Sequence, residues 1–198
     1  MTRRILKVGV AGTHSTGKST LLSSLKAQLE ANGLRVTIVK DLARAARDAG
    51  FPILSQQTED TALWIMAEGI RREAAAALTS DVILVDRAIF DAFGYLEAAL
   101  QVTGRPRNEE RHLILEELAR SYARDYDLLV ITKLDEALAL GAGRDPDEVF
   151  RRAAGERILA FAADLDRSFI TMTSENSGAV KREILTFIRD RLDTMADA

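Results

Sequence analysis

Gly12-Thr13-His14-Ser15-Thr16-Gly17-Lys18-Ser19 is the stretch on which the reading of this chain turns. It spells G-x-x-x-x-G-K-[ST]. It follows the apolar run Ile5-Leu6-Lys7-Val8-Gly9-Val10 and precedes a helical pattern over about 18–31, with Leu21, Leu22, Leu25 and Leu29 on one face. Asn32-Gly33 stops that helix. Two glycines five positions apart, Gly12 and Gly17, free the backbone for conformations barred to other residues, so successive N–H groups can converge on an anion. The helix that starts at Lys18 adds roughly half a positive charge at its N-terminus. In such a loop the lysine reaches the β- and γ-phosphates of a nucleotide and the Ser19 hydroxyl ligates Mg²⁺. The backbone and side chains of Gly12, Thr13, His14, Ser15, Thr16, Gly17, Lys18, Ser19 and Thr20 are therefore the expected phosphate-binding set. His14 occupies a position that the pattern leaves free, and His112 falls in a helical stretch with no second histidine near it in sequence.

Outward from the loop, apolar runs and helical patterns alternate. Strands are expected at 35–39, at 81–85, at 128–131 and at 169–172. The third of the five, Asp81-Val82-Ile83-Leu84-Val85, is nearly unbroken in its apolarity and reads as buried on both faces. Helices are expected at 42–49, 58–78, 88–102 and 109–124, after the fourth strand, and at 177–192. Asp145-Pro146-Asp147-Glu148 predicts a further helix start, with Asp145 as cap and Pro146 first inside, running to about 166. Strands separated by helices give an α/β domain, a parallel sheet covered on both faces. No linker or repeat divides residues 1–198.

Composition narrows the classes. Of 198 residues, 47% are hydrophobic and 29% charged, as in globular domains. The net charge of −3 provides no basic field for nucleic acid or anionic membrane, and the absence of cysteine excludes thiolate metal sites and disulfides. Arg3-Arg4 before residues 5–11 resembles a signal peptide only faintly, because Lys7 interrupts a run already too short. A cytoplasmic protein without membrane or nucleic-acid partners is expected.

Charged residues at expected strand ends supply the chemistry. Asp86, after the third strand, stands where an acid holds Mg²⁺ beside a phosphate loop, or else caps the next helix. Arg87 beside it could meet phosphate charge, or pair with Asp86 or Asp91. Asp41 and Arg44 follow the second strand, where ligands gather in open parallel sheets. Asp41 could take a proton from an attacking hydroxyl, and Arg44 could bind an anionic acceptor; the plain alternative is a helix cap and a solvent-facing arginine. Arg144, between glycines and a helix start, suits a lid over about 141–152. Arg105, Arg107 and Arg111 form a charged loop that could reach an anionic ligand or simply be solvated. Trp64, Ile65 and Met66 lie on the long third helix, as core, as an acceptor wall or as a homodimer face.

Taken together, residues 12–21, Asp41-x-x-Arg44, Val82-Ile83-Leu84-Val85-Asp86-Arg87 and Gly143-Arg144-Asp145-Pro146-Asp147 resemble P-loop kinases. The likeness is to the nicotinamide riboside kinase-like group within the wider thymidylate kinase and deoxynucleoside kinase class, and it spans residues 5–193. The resemblance implies a three-layer P-loop NTPase fold with strand order 2-3-1-4-5, ATP and Mg²⁺ as cofactors, and a small hydroxyl- or phosphate-bearing acceptor. It implies catalytic roles for Lys18, Asp41, Asp86, Arg87 and Arg144, with Ser19 and Asp86 at the metal. Asp41 stands where a glutamate is common and is one methylene shorter. Two rivals are a guanine-nucleotide switch and a regulatory ATP-binding protein. Thr132-Lys133-Leu134-Asp135 fits the [NT]-K-x-D guanine-reading pattern. A switch also needs D-x-x-G after the third strand; Ile89 stands at that glycine position, and Asp91-Ala92-Phe93-Gly94 falls within the next helix.

Overall fold

The computed structural model describes residues 5–13, 16–133 and 147–196. In chain order the elements are β1 (Leu6–Ala11), α1 (Lys18–Ala31), β2 (Val36–Val39), α2 (Leu42–Asp48), a 3-10 turn (Leu54–Gln56), α3 (Glu59–Ala77), β3 (Val82–Asp86), α4 (Phe90–Thr103), α5 (Glu109–Ala123), β4 (Leu128–Thr132), α6 (Glu148–Ala163), β5 (Ile170–Met172) and α7 (Ser177–Ala196). The five strands form one parallel sheet in the order β2-β3-β1-β4-β5, as expected.

Strand alternation sorts the core into two layers. Leu6, Val8 and Val10 of β1 and Val82 and Leu84 of β3 face Leu21, Leu22, Leu25 and Leu29 of α1 and Val180, Ile184 and Ile188 of α7. Ile83, Val85, Leu129 and Ile131 face the other way, into a larger cluster with α3, α4, α5 and α6. Both faces are apolar because both are covered, which is why β3 carries no polar alternation.

Local chemistry sets the boundaries. Thr58 and Thr61 form a capping box at the start of α3. Helix α4 begins at Phe90, two residues later than the pattern suggests. Arg87 takes a left-handed φ of 80°, and the Ile89 N–H is given to the Tyr126 hydroxyl at 2.9 Å. Helix α6 also starts later than expected: the capping side chain is Asp147, which accepts the Phe150 N–H at 2.9 Å. Residues 148–152 of the expected lid are thus helical, while residues 134–146, including Arg144, Asp145 and Asp135, lie outside the described residues.

Parallel pairing brings all carboxyl ends of the strands to one edge. The register pairs Val10 with Asp86 on one side and with Val130 on the other. The loop after β1 therefore emerges between the end of β3 and the end of β4.

Candidate active site

The glycines of the loop answer two different needs. Gly12 has φ 128°, and a Cβ there would stand 2.2 Å from Thr132 Oγ1 and 2.7 Å from the Thr132 carbonyl oxygen. Gly12 is thus required by space as well as by backbone conformation. Gly17, at the N-cap of α1, has φ 82° but open surroundings, with nothing closer than Met172 Cε at 4.0 Å. It is required by conformation alone.

The loop is braced from beneath. Thr132 Oγ1 donates to the Ala11 carbonyl at 3.1 Å and lies 2.7 Å from Thr16 Oγ1. The Thr16 hydroxyl in turn lies 3.1 Å from the Thr13 carbonyl. Lys18, 5% exposed, donates from Nζ to the Thr13 carbonyl and to Thr16 Oγ1, the latter at 3.0 Å. Thr20 is an exposed residue of the first turn of α1. His14 and Ser15 lie outside the described residues.

Ser19 and Asp86 meet across the loop: Ser19 Oγ donates to Asp86 Oδ2 at 2.9 Å. The Asp86 carboxylate is thus turned toward the phosphate loop; α4, whose N-cap is Ile89, has no side-chain cap. Two hard oxygens 2.9 Å apart fit Mg²⁺, since neighbouring ligands of an octahedron with bonds of about 2.1 Å stand roughly 3 Å apart.

Arg87 and Asp91 form the next layer. Both Asp91 oxygens accept the Gly12 N–H, at 3.2 and 3.3 Å, and Arg87 Nη1 lies 3.6 Å from the carboxylate. The same Nη1 approaches the Gly12 carbonyl at 3.5 Å, and the guanidinium sits 4.8 Å above the Tyr95 ring centroid. Tyr95 reaches Thr13 Oγ1 at 3.5 Å. Burial pushes the Asp91 carboxyl up to about 7, although Arg87, Lys18 and the Gly12 N–H all favour its ionised form. The turn that carries Asp86 and Arg87 is fixed from behind. Tyr126 donates to Glu73 at 3.0 Å while accepting from Ile89, and burial raises the Glu73 carboxyl despite Lys7 at 3.5 Å.

Asp41 follows β2 by two residues at the same edge of the sheet, two strands from β1. Its backbone is left-handed, with φ 61°, a conformation that aspartate tolerates better than most residues. It occupies the N-cap position of α2 without a side-chain capping bond, and among the described residues its exposed carboxylate pairs with Lys40 Nζ, at 3.8 Å. The cap alternative does not hold for this side chain. Arg44 lies on the exposed face of α2, 3.7 Å from Asp48.

Other residues singled out by sequence have structural partners. Arg105 donates to the carbonyls of Ser55 and Gln57 at 3.2 and 2.7 Å, Arg107 lies 3.9 Å from Glu97, and Arg111 pairs with Asp60. His112 is buried beside Phe93, with ring centroids 4.8 Å apart, and Glu97 3.5 Å from Nε2. Met66 is core and Trp64 packs on Phe51 at 5.5 Å. Gly94 belongs to helix packing: a Cβ would come 2.6 Å from Ile158 Cγ1. Thr132, the first residue of the guanine-type pattern, is occupied in bracing the loop.

Sequence reasoning did not assign Asp91, Tyr95 or Thr132 to the loop. The spacing Arg87-x-x-x-Asp91 offered a signal for an ion pair, but the Gly12 contact spans 79 residues and has no local signature.

No curated protein matches this chain in sequence. Among solved structures, it is similar to the NadR protein in complex with NR, with TM-score 0.56 and 17% identity over 84% of this chain. It spans only 43% of that protein's length. It is also similar to deoxyadenosine kinase from M. mycoides with bound dATP, with TM-score 0.57 and 13% identity over 95% of this chain and 100% of the other. These likenesses establish the P-loop kinase fold. No helix among the described residues is long and apolar enough to cross a membrane. The AAA domain family matches residues 7–179, nearly the whole chain, and the chain belongs to that family.

Proposed function

We propose that this chain is an ATP- and Mg²⁺-dependent kinase that transfers the γ-phosphoryl group to a hydroxyl or phosphate of a small nucleoside-like metabolite. The observation that carries the reading is the meeting of Ser19 and Asp86 at 2.9 Å beside a glycine-bounded loop with Lys18 inside it. A loop that only turned a strand into a helix would need neither the lysine nor a strand-end acid aimed at the serine. The two similar structures, a deoxyadenosine kinase with dATP and NadR with NR, support a nucleoside-like acceptor.

In this reading the N–H groups of residues 12–19 hold the triphosphate, and Lys18 leaves the Thr13 carbonyl for the β- and γ-phosphate oxygens. Ser19 and Asp86 would hold Mg²⁺, which when bound neutralises charge on those oxygens. Arg87, fixed by Asp91 and Tyr95, adds positive charge at the end of β3. Asp41 orients or deprotonates the acceptor, because its carboxylate is not occupied by capping and it follows β2 at the carboxyl ends of the strands, where ligands gather in open parallel sheets. Arg144 would complete the charge from the lid segment. The protein's work is positioning and electrostatics, with little covalent chemistry of its own.

ADP formation from ATP, screened against nucleosides, nucleotides and nicotinamide riboside, tests the proposal. Acceptor-dependent ADP production that disappears in Lys18→Ala supports it. Nucleotide binding without turnover against any acceptor would favour a regulatory ATP-binding protein. GTP bound at least tenfold more tightly than ATP, with the preference reversed by Asp135→Asn, would favour the switch.

A further inference from the structure

The carboxylate of Asp86 has two chemically reasonable partners, and the fold selects one. Asp86 stands three residues before Ile89, the N-cap of α4, and at that spacing an aspartate side chain ordinarily accepts a backbone N–H at a helix start. Here the Ile89 N–H goes instead to the Tyr126 hydroxyl at 2.9 Å, and α4 has no side-chain cap. Asp86 Oδ2 is left to accept from Ser19, at 2.9 Å. The other N–H groups of the turn are also taken: those of Arg87 and Ala88 both point to the Val10 carbonyl, at 2.9 and 3.4 Å.

Tyr126 is built into the fold for this contact. It precedes β4 and is 1% exposed. Its ring lies across β1 at Gly9, where a Cβ would stand 3.0 Å from the ring atoms Cγ and Cδ1, so the strand leaves that space to the tyrosine. The single hydroxyl proton is given to Glu73 Oε1 at 3.0 Å, which leaves an oxygen lone pair for Ile89. Glu73 is held in turn by Lys7 Nζ at 3.5 Å, and Asp127, next to Tyr126, accepts the Lys7 N–H at 2.8 Å. The hydroxyl is therefore fixed from α3, β1 and the start of β4 at once.

We propose that Tyr126 is a positioning residue for the metal-side acid: by taking the Ile89 N–H, its hydroxyl keeps the Asp86 carboxylate from capping α4 and turned toward Ser19. The inference rests on the reading of Ser19 and Asp86 as the Mg²⁺ pair. Without the hydroxyl a buried N–H would need a new acceptor, and Asp86 is the carboxylate at capping distance in sequence. Asp86 would then be divided between the helix start and Ser19, and the pair would hold a cation less well. Tyr126 touches neither nucleotide nor acceptor; it acts through Asp86.

The test is calorimetric titration of ATP, once with Mg²⁺ and once with EDTA. It compares the unaltered protein with Tyr126→Phe, Glu73→Gln, Asp86→Asn and the double variant Tyr126→Phe/Asp86→Asn, with thermal melting to verify folding. Tyr126→Phe should bind Mg-ATP about tenfold to a hundredfold more weakly, as loss of a partner behind a metal ligand does, while its affinity for metal-free ATP is unchanged. Glu73→Gln, which keeps an oxygen for the Tyr126 proton, should retain the Mg²⁺ dependence. In the Asp86→Asn background the Phe substitution should add less than about twofold, since the acid it serves is gone. Equal losses with and without Mg²⁺, an unchanged Mg²⁺ dependence, the same loss in Glu73→Gln, or a full loss in the Asp86→Asn background would overturn the assignment. So would a Tyr126→Phe that fails to fold, because the hydroxyl would then serve the core. An unaltered protein whose ATP affinity ignores Mg²⁺ would instead overturn the metal reading of Ser19 and Asp86.

Discussion

The contact between Asp91 and Gly12 allows charge and hydrogen bonding to be separated by two substitutions. Asp91→Ala removes the acceptor of the Gly12 N–H, leaving a buried donor unsatisfied at a cost of about 1–3 kcal/mol, with some lost packing added. Asp91→Asn keeps an oxygen for that N–H and nearly the same shape but loses the charge. Burial already drives the Asp91 carboxyl toward its neutral form, so at pH 8 Asp91→Asn should cost under about 1 kcal/mol or even stabilise. The pH dependence has a definite sign. A carboxyl raised to about 7 in the folded state binds a proton between that value and its unfolded value near 4, where the unfolded chain binds none. Its contribution to stability therefore rises as pH falls from 8 toward 5. Glu73, also raised by burial, acts in the same direction, so the difference between the protein and Asp91→Asn isolates Asp91. Urea unfolding followed by Trp64, the single tryptophan, measures all three proteins at pH 8, 6.5 and 5. Equal losses for Ala and Asn at pH 8, or an Asn variant whose pH slope matches the unaltered protein, would refute the reasoning.

Gly12→Ala should lower stability by about 3 kcal/mol or more, because Thr132 is held by Thr16 and Ala11 and cannot withdraw from a Cβ 2.2 Å away. Gly17→Ala should cost only about 1–2 kcal/mol, for backbone conformation alone; denaturation midpoints compare the two. Asp41→Asn should reduce kcat on the order of a hundredfold or more, as loss of a general base does, with nucleotide affinity preserved. Equal losses in kcat and nucleotide affinity would make Asp41 a structural residue. Gly94→Ala should destabilise by about 1–3 kcal/mol through the clash with Ile158, while leaving the affinity of any folded protein for nucleotide unchanged in a binding titration.

The sheet was legible because each strand is an apolar run bounded by polar or glycine-bearing turns, and because the loop pattern fixes the first strand–helix junction. Strand order came from the resemblance, not from periodicity. Helix starts were less legible where tertiary bonds compete with local caps. At α4, Tyr126 takes the Ile89 N–H from 37 residues away, and no property of residues 86–90 announces it. At α6, two aspartates flank Pro146, and the second one caps. At the site, the chemistry of Lys18, Ser19 and Asp86 could be read from residue type and position. The bracing by Asp91, Tyr95 and Thr132 could not, since each is an ordinary polar residue of a helix or strand until folding brings it to the loop.

The most direct measurement is ADP formation by the unaltered protein and by Lys18→Ala, with and without candidate acceptors, on samples whose folding is verified by circular dichroism. The account predicts acceptor-dependent turnover that vanishes in the variant while the spectrum is retained. Turnover undiminished by loss of the Lys18 ammonium would contradict it.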